Sequence, residues 1–387
     1  MPRNAFRPVL VALVLVASVL AARNAYTIPR YSARYGQECS LCHMNPTGGG
    51  ERSLYASQFI VPEEMAVVKL DEEARKKIDP RLSRTITAGV DLRTFFFRSN
   101  SDTPNLSFDT QNFMQMQGNL YLDLQLDERF SATMSRGMSG EYEVFGMGYI
   151  LPLNGYVKVG RFMPAYGWRF ADHTSFVREL MGFFPPAHTD VGMEAGIYPG
   201  RGSLTLSLMN GSRGSIQDTD KNVALWGRAS YRWTIGKAQT AFGGSFYYHR
   251  KDALTTRYPL GVSGTDRTAG GPFGYVSVGP FTWVGEADIS RNTFPDVSDS
   301  TLTYWFTTHE VTWDFVQGAD LRGTFDYLDA NTDQDYPTYS RYGIGAEVMP
   351  YPFVKVTGMV NFWRSKPEPG IGKNDYTQGE LQVHFFY

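Results

Sequence analysis

From Ser83 onward, apolar and polar residues alternate along the chain with a period of two. In MQMQGNLYLDLQL, Met114, Met116, Leu120, Leu122, Leu124 and Leu126 fall on one side, and Gln115, Gln117, Asn119, Tyr121, Asp123 and Gln125 on the other. Leu204, Leu206 and Leu208 alternate with Thr205 and Ser207; Val354, Val356, Val360 and Phe362 alternate with Lys355, Thr357, Met359 and Asn361. Successive side chains of a strand point to opposite faces, so each segment has one apolar and one polar face. Several segments are longer than the roughly five or six residues of an ordinary soluble strand. They are long enough to cross a bilayer at a tilt.

About sixteen such strands can be placed, at roughly residues 83–98, 111–126, 130–136, 141–150, 156–162, 190–198, 203–210, 222–233, 239–250, 272–279, 281–292, 301–315, 319–330, 338–350, 353–365 and 376–387. The connections after even-numbered strands are short (DE, LPLNG, PGRG, TIGKA, P, VQG, YP), whereas those after odd-numbered strands are mostly long, among them 163–189, 211–221, 251–271 and 366–375. Short turns at one end and long loops at the other, with an even strand count, is the layout of bacterial outer-membrane barrels. The predicted fold is therefore all-β, a transmembrane antiparallel barrel over 83–387 with both termini on the periplasmic, short-turn side. The last strand, GELQVHFFY, agrees: Leu381, Val383, Phe385 and Tyr387 share one face and the chain ends on an aromatic. It resembles the terminal signal by which outer-membrane barrels are recognised for assembly.

The first part of the chain breaks the alternation. Arg3 and Arg7 precede an apolar run, Val9 to Leu20, followed by Ala21, Ala22 and Ala25. That is the layout of a secretory signal, too short for a membrane-spanning helix, so residues 1–25 are expected to be a signal peptide. Residues 26–82 form a separate segment, in which the charged stretch from Pro62 to Asp79 reads as a solvated helix. Composition fits the barrel. Aromatics reach 14% while the charged and polar positions keep the average polar, because the two faces of each strand cancel. A formal charge of −2 gives no basic surface for nucleic acid.

Both cysteines of the chain lie in ECSLCHMNPTGGG, three residues apart, with His43 directly after the second. A thioredoxin-like redox pair expects a βαβ setting, which the surrounding sequence lacks. A zinc site needs two further ligands at suitable spacing, and a disulfide across so short a loop gains little chain-entropy stabilisation. Covalent haem c attachment accounts for all three residues: the thiols of Cys39 and Cys42 add to the two vinyl groups and His43 binds the iron. One covalent haem c is thus the expected cofactor. For the second axial position Met65 leads, since Met44 is adjacent to His43 and cannot reach the opposite face. His384, on the lumen-facing side of the last strand, and an open or water-filled site are the alternatives. The following NPTGGG reads as a turn whose glycines let backbone approach a flat macrocycle.

IPRYSARYGQECSLCHMNP followed by a porin-like barrel resembles the fused monohaem cytochrome–porins of bacterial outer membranes, best known from iron-oxidising bacteria. The resemblance implies a haem segment, 26–82, at or inside the barrel. It implies electron transfer between an extracellular donor, ferrous iron, and a periplasmic cytochrome or other carrier. Only Cys39, Cys42 and His43 carry over residue by residue. Tyr156 to Trp168, YVKVGRFMPAYGW, also resembles a strand-and-loop segment of phosphate-selective porins. The expected partners are outer-membrane lipid, the periplasmic carrier and an extracellular metal ion. Asp172, His173, His188 and Asp190, around the 163–189 loop, are candidate ferrous-iron ligands, since imidazole and carboxylate suit that ion. The competing reading is a solute-conducting porin with a periplasmic cytochrome domain for docking or sensing; a third is a soluble exported haem enzyme.

Overall fold

The computed structural model describes residues 32–33, 39–103, 106–138, 140–183, 189–213, 218, 221–251, 265–294 and 300–387. The expected signal peptide lies outside the described residues. The strands are β1 (Ile86–Thr103), β2 (Leu106–Gln125), β3 (Phe130–Gly137), β4 (Tyr142–Leu151), β5 (Gly155–Phe162), β6 (Asp190–Ile197), β7 (Gly202–Met209), β8 (Ala224–Ile235), β9 (Ala238–Lys251), β10 (Thr265–Val278), β11 (Phe281–Phe294), β12 (Ser300–Val316), β13 (Ala319–Asp329), β14 (Thr338–Tyr351), β15 (Val354–Lys366) and β16 (Tyr376–Phe386). Each pairs antiparallel with its sequence neighbours, and β1 closes on β16 into a barrel.

The alternation located these strands well, with two differences. β1 runs on to Thr103 and β2 begins at Leu106, in a polar stretch without alternation; Arg98 and Asp109 pair across the two strands at 2.7 Å. β10 begins at Thr265 rather than near 272, because Gly270, Gly271 and Pro272 read as a loop. In the barrel Pro272 stands opposite Gly244 of β9, while pairing with β11 passes from Gly270 opposite Ile289 to Phe273 opposite Glu286. The missing proline N–H falls in that lapse, and a side chain at position 271 would collide with the Ala287 carbonyl.

Burial is inverted relative to a soluble protein. On β7, Leu204, Leu206 and Leu208 are exposed while Ser203, Thr205 and Ser207 are buried, and Phe242, Phe246 and Ile344 continue the exposed apolar wall. A closed barrel leaves no unpaired strand edge, and such an outer wall is stable in hydrocarbon. Among the described residues no helix is long and apolar enough to cross a membrane; the strands do so.

Two pieces of chain fill the interior. The first is the segment before β1. It has a single 3₁₀ turn (Cys39–Leu41), a wide π-helical stretch α1 (Ala56–Met65) and a short helix α2 (Glu72–Lys76). The helix expected over 62–79 is thus split. Val67 and Val68 leave helical geometry and donate their N–H groups to the Met349 and Pro350 carbonyls, at 2.9 and 3.2 Å. Asp71 then caps α2 by accepting from Ala74 N at 2.7 Å. Gln317, in the β12–β13 turn, donates to the Glu63 and Ala66 carbonyls at 2.8 and 3.0 Å. The segment therefore sits at the short-turn end.

The second piece is the loop after β5, described to Phe183, which folds inward and carries α3 (Phe176–Leu180). Its Met163, Tyr166, Phe176, Met181 and Phe183 pack with the wall residues Phe145, Trp226 and Phe306 in an apolar core inside the lumen. Charged wall residues pin it. Arg341 of β14 binds Asp326 Oδ2 at 2.7 and 2.9 Å and Asp172 at 2.7 Å, and Asp326 accepts from Phe176 N at 3.1 Å. Asp172 is raised by burial but pulled further down by Arg341 and the Thr174 donors, so its net pKa lies below the ordinary carboxylate value. Removing one member of a buried pair leaves an uncompensated charge, so Arg341→Leu is expected to cost about 3–5 kcal/mol. Denaturant titration in detergent micelles checks this, and the double variant with Asp326→Asn should recover much of the loss.

Candidate functional site

Residues 42–53 form a hook that fixes both thiols. Cys42 N and His43 N donate to the Cys39 carbonyl at 3.1 and 3.0 Å, which brings both cysteines and His43 onto one tight turn. Met44 N donates to Glu51 O and Ser53 N to Cys42 O, each at 3.0 Å, so the chain returns alongside itself. Asn45 Oδ1 ties the bend by accepting from Thr47 N at 3.2 Å and Thr47 Oγ1 at 3.0 Å. The bend needs its glycines: Gly48, Gly49 and Gly50 have φ of +87, +74 and +71°. A Cβ on Gly48 would also stand 3.3 Å from Cys39 Sγ.

The hook reaches into the lumen. Buried Lys158 of β5 donates to Asn45 Oδ1 at 3.4 Å, and Arg169 of the inward loop binds the Gly48 carbonyl and, at 3.3 Å, Thr47 Oγ1. The Arg52 guanidinium lies 3.7 Å from the centre of the Phe386 ring. Lys158 is itself paired with Glu194 at 2.7 Å, both fully buried. Glu51 is buried beside Asp123, and burial together with that neighbour pushes its carboxyl up to about 9.

His43 lines a lumen cavity together with Arg52, Arg93, Arg169, His173 and His384. The cavity volume is about 200 Å³, and neither thiol lines it. Burial, with Arg52 and Arg169 nearby, pulls the His43 pKa down to about 4, so the imidazole is neutral, the form that binds metal. Burial and the neighbouring Cys39 push the Cys42 thiol up to about 11, against the pull of Arg52. Neither cysteine is in a disulfide, and both are half-buried. The residues therefore fit a covalent haem c: two unbridged thiols on one turn, a neutral imidazole whose buried Nδ1 has no hydrogen-bond partner among the described residues, and positive-φ glycines beside the sulfur.

The other expected site residues are dispersed. Met65, the leading distal ligand, does not line the cavity with His43. It packs with Ile60, Val61, Met349 and Phe386, and this cluster touches Leu41 and Cys42. His384 does line the cavity. Of the candidate iron ligands, Asp172 is held by Arg341, Asp190 accepts from Val191 N and Gly211 N at 2.8 and 2.7 Å, and His188 lies outside the described residues. Among the described residues no group of three His, Cys, Asp or Glu side chains is placed to hold a metal ion. Nothing in the sequence singled out Lys158, Arg169 or Arg52. Lys158 alternates with Val157 and Val159, but alternation alone does not reveal which charges are buried.

No family model and no curated protein matches the sequence. Solved structures match its shape. The anion-selective porin from Comamonas acidovorans is 10% identical at TM-score 0.56, covering 78% of this chain and 99% of that one. OprB of Pseudomonas putida is 11% identical at TM-score 0.58, covering 81% and 96%. The outer membrane channel DcaP of Acinetobacter baumannii is 10% identical at TM-score 0.55, covering 78% and 97%. The chain has the fold of the outer-membrane porins. At these identities the likeness speaks for the barrel of this porin-fold chain. The segment before β1 must be read from its own residues.

Proposed function

We propose that this porin-fold chain is an outer-membrane electron-transfer protein. Residues 26–82 would form a monohaem cytochrome segment, its residues 39–82 seated in the short-turn mouth, taken as periplasmic. Electrons would pass between an extracellular donor and a periplasmic carrier. The reading rests on one observation: Cys39, Cys42 and His43 share a turn whose hook is bound to lumen residues Lys158 and Arg169. A bound haem c supplies a one-electron couple. The chain's own residues do the rest. The thiols hold the group, His43 offers a neutral imidazole, and Arg52 and Arg169 set positive charge beside it, where propionates need counter-ions. The inward loop fills the lumen with packed side chains and so limits solute passage. Ferrous iron as the donor follows from the family resemblance alone.

A second reading is a solute-conducting porin with a haem segment for docking or sensing. The neighbours' names, an anion-selective porin and an outer membrane channel, favour it over iron oxidation, as do the arginines around the cavity. Two measurements separate them. Electron transfer expects haem in intact cells to be reduced by impermeant ferrous complexes, and the purified protein to conduct poorly in planar bilayers. An open, solute-permeable channel whose haem stays oxidised under external reductant would establish the second reading.

A further inference from the structure

His384 stands out among the buried groups that neither the barrel nor the inward loop employs. It belongs to β16 and is 3% exposed, opposite Arg93 of β1 and Lys355 of β15. Its side chain turns into the cavity that His43 also lines. Asp91 Oδ1 stands 2.9 Å from its Nε2, while its buried Nδ1 has no hydrogen-bond partner among the described residues. A buried nitrogen left unpaired is costly, and a ligand on Nδ1 would offset that cost.

Its position relative to His43 follows from contacts. The His43 backbone is bridged to Arg52. The Arg52 guanidinium lies on Phe386, and the Phe386 ring is 4.9 Å from the His384 ring, centre to centre. The turn that carries His43 is thereby locked to the strand that carries His384. A carboxylate beside one imidazole nitrogen is also the arrangement that orients metal-binding histidines and raises their basicity. Asp91 is in turn fixed by Arg93 Nε at 3.3 Å.

We infer that His384 is the second axial ligand of the haem iron, with Asp91 as its positioning residue. This rests on the proposed haem and deepens it: the iron would lie between one imidazole from the hook and one from the barrel wall, so that haem binding fastens the segment to the barrel. Met65, which packs with Phe386 and Met349 and does not line the cavity, would then be a packing residue.

The test uses the purified full-length protein, with haem content measured by mass and by pyridine haemochrome. His384→Ala is expected to keep its covalent haem, to change from a low-spin to a high-spin optical spectrum, and to regain the low-spin spectrum on addition of imidazole. Should the alanine variant fail to fold, His384→Met fills the space. It is expected to remain low-spin with a raised reduction potential, since thioether replaces imidazole. Asp91→Asn should shift the potential without altering haem content. Haem present and a low-spin spectrum unchanged in His384→Ala would overturn the assignment, as would loss of that spectrum in Met65→Ala or His173→Ala instead. Protein without haem would overturn the proposed function as well, which keeps the two failures distinct.

Discussion

Replacing Cys39 and Cys42 together with alanine is expected to abolish haem attachment while leaving the barrel intact. The Soret band should vanish from the purified protein and the polypeptide mass should fall to that of the bare chain. The barrel should persist because its stability lies elsewhere. Sixteen strand pairings close the cylinder, and the hook is held through Asn45, Thr47, Gly48 and Arg52 rather than through sulfur. Truncating two half-buried thiols removes little apolar surface, on the order of 1 kcal/mol each. Folding is read from heat-dependent gel mobility and outer-membrane fractionation. Haem retained in the double variant would show that attachment does not run through these thiols. A barrel that no longer assembles would show that the segment nucleates the fold.

How much of this was legible in the sequence depends on the scale of the signal. The barrel was legible because a lipid-facing wall imposes the same demand on every other residue of every strand, and that demand repeats from Ser83 to Tyr387. It failed where local chemistry outweighed pattern: at Gly270–Pro272, which pair in spite of composition, and in the β1–β2 hairpin, where polar residues extend past the membrane. The Cys39, Cys42 and His43 spacing stood out as a candidate haem motif because that chemistry requires three residues at fixed spacing, and the fold sets them on one turn. The rest of the site was not legible. Met65 leads in the sequence as the only other Met or His of the 26–82 segment; what spacing alone does not show is that strand pairing returns His384 to the first strand, opposite Arg93. Likewise, nothing local to Arg341 or Glu194 announces a burial that only the inward loop creates.

That loop governs the second large effect. Phe176→Asp combined with Met181→Asp is expected to drive the loop out of the lumen and raise single-channel conductance by about an order of magnitude, since sixteen-stranded barrels otherwise leave an aqueous channel. Both side chains are buried in the apolar core that joins the loop to β4, β8 and β12. Each substitution forfeits roughly 1.5–3 kcal/mol of apolar burial and adds the cost of an unpaired buried carboxylate. The polar ties opposing release include Arg341 to Asp172, Phe176 N to Asp326 at 3.1 Å, Tyr166 Oη to Asp288 at 2.6 Å, Trp168 N to Glu286 at 2.6 Å, and Arg267 to the Leu180 carbonyl at 2.8 Å. Water and ions can replace these once the apolar core is lost. The wall should be unaffected, since the loop contributes nothing to its hydrogen-bond ladder. Planar-bilayer recording of the parent and the variant decides the matter. A parent that already conducts like an open channel would mean the packed loop does not obstruct the pore, and electron transfer through a closed barrel would lose its physical basis. A variant that stays closed would shift the obstruction to the segment before β1, where deletion of residues 39–82 should then open it.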